Sequence, residues 1–131
     1  MNLARWTLVV LLGLTALLHL AEGVMSIADP AGMMAGLQLA ASPGVEVPIT
    51  FLGLAMIVRA AVAGIALLWL VRGKPEGIFL ARFVALTILL SAPVVYVTLH
   101  RPEFAIGDLV HGVLLLVPAL MVNARRGGSA A

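Results

Sequence analysis

The chain has 131 residues, 63% of them hydrophobic and 11% charged, and it contains no cysteine. A water-soluble domain of this length cannot bury so much apolar surface, and the missing cysteine excludes disulfides, thiolate catalysis, iron–sulfur clusters and cysteine zinc sites. The net charge of +2 comes from cations at the ends of apolar runs, a pattern that marks topology and excludes a nucleic-acid-binding patch.

The first apolar run covers residues 3–27 and stops at Asp29-Pro30. Arg5, the apolar stretch and Ser26-Ile27-Ala28 also suit a cleavable signal peptide. The run is long for that, however, and it carries His19 and Glu22, which a disposable leader does not need. After it, Asp29 can cap and Pro30 suits a first helical turn. Met33, Met34 and Leu37 are apolar and Gly36 offers a stop, so a short interfacial helix is predicted over 30–36. Ala41-Ser42-Pro43-Gly44 should then turn the chain.

The second run, 48–71, ends at Arg72-Gly73-Lys74-Pro75 and carries a small-residue stripe of Gly53, Ala60 and Gly64 suited to close packing. The third, 77–99, contains Pro93, shows a second packing face of Thr87, Ser91 and Thr98, and ends at His100-Arg101-Pro102. The fourth covers 104–122, contains Pro118 and gives way to Asn123-Ala124-Arg125-Arg126, with its helix expected to close near 123. Residues 127–131 read as a disordered tail.

Each run is long enough to cross a hydrocarbon core of ~30 Å, and lipid offers a backbone no partners outside a helix. The expected fold is therefore all-α, an integral membrane four-helix transmembrane bundle forming one domain over 1–126. Arg5, Arg72, Lys74, Arg125 and Arg126 place both termini and the middle loop on the cytoplasmic side of the membrane, with Arg101 as the exception. Trp6 and Trp69 read as belt anchors at that face.

Ionisable groups inside a span cost a few kcal/mol or more, so each needs a partner, a cavity or a route to the surface. In the first span, Thr15, His19, Glu22 and Ser26 are spaced four, three and four apart, forming one stripe that should face the bundle. In the fourth, Asp108 and His111 are three apart on one face. Counting inward from the outer ends, both histidines lie about 10 Å deep and both carboxyls about 6 Å deep. If the two spans are neighbours, two imidazoles and two carboxylates converge. Tyr96 lies at a similar level, beneath a mouth of His100, Arg101 and Glu103. Taken singly, each of these groups is as well explained by hydration or by a hydrogen bond to a carbonyl. Arg59 lies near the midplane and needs an anion, for which Glu22, Asp108 or an acidic or carbonyl-bearing ligand would serve. Arg82, about 8 Å from the cytoplasmic side, should snorkel.

Three ligand chemistries suit this set. His19, Glu22, Asp108 and His111 could hold a divalent metal, as carboxylate–histidine sites in helix bundles do. His19 and His111 could be the axial ligands of haem b. Glu22 or Asp108, with Tyr96 as a third candidate, could do acid–base chemistry on a lipophilic substrate such as a quinone, sterol or isoprenoid. A channel or proton-coupled transporter is disfavoured, because no polar track continues from Arg59 to the cytoplasmic face. The leading expectation is an outward-facing polar pocket for a small ligand, metal or lipophilic cofactor, in a protein accessory to a membrane redox or lipid-modifying system. The alternatives are a purely structural membrane subunit and a small membrane enzyme.

The segments LLGLTALLHLAEGVMSIADPAGMMAGLQL and FLGLAMIVRAAVAGIALLWL resemble the small bacterial four-helix inner-membrane proteins grouped around the DoxX family. That resemblance covers the first half of the chain. It implies a subunit or accessory of a membrane redox system, in contact with the bilayer and with a homo-oligomer or redox complex as partner. It transfers no catalytic residue.

Overall fold

A computed structural model of the chain describes residues 2–38 and 46–127. It is all helix: α1 (Leu3–Ala28), α2 (Pro30–Gly36), α3 (Glu46–Val71), α4 (Glu76–Leu99) and α5 (Pro102–Gly127). Four of these contain apolar stretches long enough to cross a membrane: Leu3–Ala28, Pro48–Val71, Glu76–Leu99 and Pro102–Val122. Only 22% to 39% of each such stretch is buried in the bundle. The outer surface is therefore leucine, valine and phenylalanine, including Leu90, Phe51 and Phe79 at 68% to 71% exposure. Such a surface is stable against lipid and not against water. The protein is a multi-pass helical membrane bundle.

Local chemistry fixes the breaks. Asn2 caps α1 by accepting the Arg5 backbone N–H at 3.0 Å. Asp29 ends α1 and caps α2, its side chain accepting from Gly32 N, and Pro30 occupies the first turn, where no amide is needed. At the end of α3 the chain reverses through Gly73 (φ +79°), with Lys74 N bonded to Trp69 O and Gly73 N to Leu70 O. This paired closure requires a left-handed residue, and glycine adopts it without strain. His100 performs the same service for α4 at φ 53°. The fourth long helix starts at Pro102 and not at Phe104, because proline suits a first turn. It also continues to Gly127, past the expected close near 123. The Ala41–Gly44 turn and the rest of the predicted tail lie outside the described residues.

The helices form a ring in which α1 packs mainly on α3 and α4 on α5, closed by α3 against α4 and α1 against α5. At the end carrying the termini, the interior is a dry core built from Leu8, Leu12, Ala66, Leu70, Val84, Ile88 and Leu115. Arg5 ties that end together by donating to the Leu70 carbonyl. At the opposite end α1 and α3 approach backbone to backbone. A Cβ on Gly53 would lie 2.7 Å from Ser26 Cβ and 2.9 Å from Gly23 O. The predicted small-residue stripe is thus half right: Gly53 and Ala60 are buried, but Gly64 has nothing within 4 Å, and Ala63 and Ala66 take its place. Above the Gly23–Gly53 crossing the ring does not fill, and α2 lies across α1 and α3.

Candidate functional site

The α1 stripe faces inward. Thr15 is 0%, His19 4% and Ser26 3% exposed, and Glu22 is half-buried. Asp108 and His111 on the neighbouring α5 are also half-buried. His19, Glu22, Ser26, Asp108 and His111 line one cavity of about 310 Å³, with Glu103 also on its wall. The rest of the wall is mostly apolar: Leu18 from α1, Met33 and Leu37 over the top, Ile49, Leu52 and Met56 from α3, Val95 and Leu99 from α4, and Phe104 from α5. An apolar chamber with a few convergent polar groups is the usual make-up of a small-molecule site.

The polar groups are not equally satisfied. His111 Nε2 lies 2.8 Å from Thr15 Oγ1, and that hydroxyl lies 2.7 Å from Leu11 O. A hydroxyl has one proton, and giving it to the carbonyl of the preceding turn leaves a lone pair for the ring. His111 Nε2–H therefore donates to Thr15. Ser91 Oγ donates to Asp108 Oδ2 at 2.9 Å and also lies 2.6 Å from Ile88 O. Arg59 donates to Thr87 twice, Nε to Oγ1 at 3.2 Å and Nη2 to the carbonyl at 3.1 Å. Together these bonds link α1 to α5, α5 to α4 and α4 to α3. By contrast, His19 Nδ1 is buried without a hydrogen-bond partner. Glu22 has no side-chain hydrogen bond or ion pair among the described residues, although its backbone carbonyl accepts from Ser26 Oγ.

Among the described residues no three histidine or carboxylate side chains are grouped so as to hold a metal ion. The His19 and His111 rings meet edge to face, with centroids 5.3 Å apart and planes inclined at 62°. His111 Nε2 is engaged by Thr15.

Several expected roles move. Arg59 pairs with neither Glu22 nor Asp108: among the described residues the ion pair present is Arg101 with Glu103, and Arg59 is held by the hydroxyl and carbonyl of Thr87. Tyr96 is half exposed and lies off the cavity, because Val95, one residue earlier, occupies the inward position. At the mouth, Arg101 bridges Glu103 and the Gln38 carbonyl (3.3 Å), while His100 is exposed and is not part of this cavity's wall. Arg82 reaches across to the Ala119 carbonyl at 3.4 Å, with its Nε buried and unpartnered, and does not simply extend to the surface. Thr87 and Ser91, read from sequence as a packing face, turn out to be the hydrogen-bond partners of Arg59 and Asp108. Their spacing of four, matching one turn of α4, was the available signal. Lys74 Nζ stands 5.7 Å from the Trp69 ring centroid, a cation–π contact at the loop.

A search of protein-family models, of curated proteins and of solved structures gave no match to this chain.

Proposed function

We propose that this protein binds a small lipophilic molecule with a polar head group in the cavity between α1, α3, α4 and α5. One observation supports this reading above the others: His19 and Glu22 from the first span and Asp108 and His111 from the last lie on the wall of one chamber, and most of the remaining wall is apolar. The distribution of basic residues supports an orientation with both termini cytoplasmic and the chamber toward the outer face, and the DoxX-like resemblance suggests a bacterial inner membrane as the location. The resemblance to DoxX-like proteins agrees with a role as accessory to a membrane redox or lipid-modifying system.

Native mass spectrometry of the protein released from its own membranes tests this. The expected result is a bound species of defined mass that disappears in Met56→Trp, a change that fills the chamber from an apolar wall. Identical spectra for the two proteins would remove the reading. A structural subunit is the second reading, favoured by the hydrogen bonds that use His111, Asp108 and Arg59 to join neighbouring spans.

A further inference from the structure

The charges on the chamber wall all have one sign. Glu22, Glu103 and Asp108 line it, and among the described residues no lysine or arginine does. Arg101 already pairs with Glu103, and Arg59 spends its hydrogen bonds on Thr87 while acting on Asp108 only at longer range, so among the described residues no cation is in contact with Glu22 or Asp108. Ser91, a neutral group, is the hydrogen-bond partner of the Asp108 carboxyl. A separate observation concerns His19, which is 4% exposed, lines the same chamber and has an Nδ1 with no partner. The neighbouring imidazole is already committed, since His111 Nε2–H donates to Thr15. The wall is thus rich in acceptors and poor in free donors. An anionic ligand would face the carboxyls with the single N–H of His19 as its free donor, whereas an ammonium brings donors and no acceptor. The carboxyls lie about 6 Å inside the outer end, the depth at which an amphiphile keeps a charged head near water and its apolar body in the bilayer.

Resting on the pocket reading above, we infer that the ligand is a lipophilic amine, bound as its ammonium ion between Glu22 and Asp108 with His19 as a further acceptor and its apolar body against the α3 and α4 walls. The test uses three probes that share one body: 4-phenylbutylamine, 4-phenylbutan-1-ol and 4-phenylbutyrate. Binding to the purified full chain is measured by native mass spectrometry and by saturable thermal stabilisation. The amine should bind at least about tenfold more tightly than the alcohol, and Glu22→Gln or Asp108→Asn should weaken it by a similar factor, as loss of a charge-assisted hydrogen bond requires. The comparison of probes on the unmodified protein does not depend on either variant folding. Equal or tighter binding of the alcohol or the acid would overturn the amine assignment and leave the pocket reading standing. Failure of all three probes, together with no effect of Met56→Trp on any bound species, would overturn both.

Discussion

The hydroxyl groups of Thr15 and Thr87 decide what their charged or ring-bearing partners do. Each gives its proton to a carbonyl of its own helix, Leu11 O or Val84 O, and offers a lone pair across the interface. Arg59 accordingly sits in the membrane without a carboxylate in contact, its guanidinium hydrogen-bonded to the oxygens of Thr87. This arrangement has a measurable consequence. Removing one member of a buried contact ion pair strands the other charge and costs about 3–5 kcal/mol, whereas removing a charge that touches no carboxylate costs less. Arg59→Met should therefore cost less than the ~3–5 kcal/mol of a broken contact pair when unfolding is followed in mixed micelles, because its bonded partners, a hydroxyl and a carbonyl of Thr87, are neutral and Asp108 acts on it only at longer range. A loss near the upper range would show that Arg59 neutralises a carboxylate after all.

Among the helices, the pairing of α1 with α3 depends on two glycines that let backbones touch. Lipid tails are as apolar as leucine, so tight packing replaces the hydrophobic effect as the force between spans. At Gly53 an added methyl would meet Ser26 Cβ and Gly23 O, neither of which is the movable end of a long side chain. Gly53→Ala should destabilise the bundle by about 1–3 kcal/mol, the usual cost of overpacking. Gly64→Ala, at a position with open space, should be neutral or slightly stabilising through helix propensity. Equal effects of the two substitutions in the same unfolding assay would contradict the observed crossing. The chemistry of α1 was largely legible in the sequence, because a stripe at spacings of four, three and four admits one inward face. That of α4 was not: Tyr96 matched the site in depth, but it is one residue, and so ~100°, away from Val95 in the inward row.

Over the whole molecule, the ring is solid at the end bearing the termini and hollow at the other. With four crossings both ends of the chain lie on one side, and α2 and the chamber lie on the opposite one. The lack of native cysteine allows a clean test of direction. In intact cells a membrane-impermeant maleimide should label Gln38→Cys and leave Lys74→Cys unmodified until the membrane is opened. The reverse pattern would turn the chamber toward the cytoplasm and remove the outward-facing assignment.

Length and apolar content alone determined four helical crossings, because a backbone in hydrocarbon must satisfy its own hydrogen bonds. The placement of polar residues within α1 and α5 likewise determined which face of each turns inward, since a charge directed at lipid is too costly. Only the tertiary structure decided that α1 and α5 are neighbours, that Thr87 and Ser91 answer Arg59 and Asp108, and that the histidine rings touch. In a membrane the same leucines and valines serve core and lipid faces, so composition does not record which helix lies against which. The partner of a buried polar group is a matter of position in space.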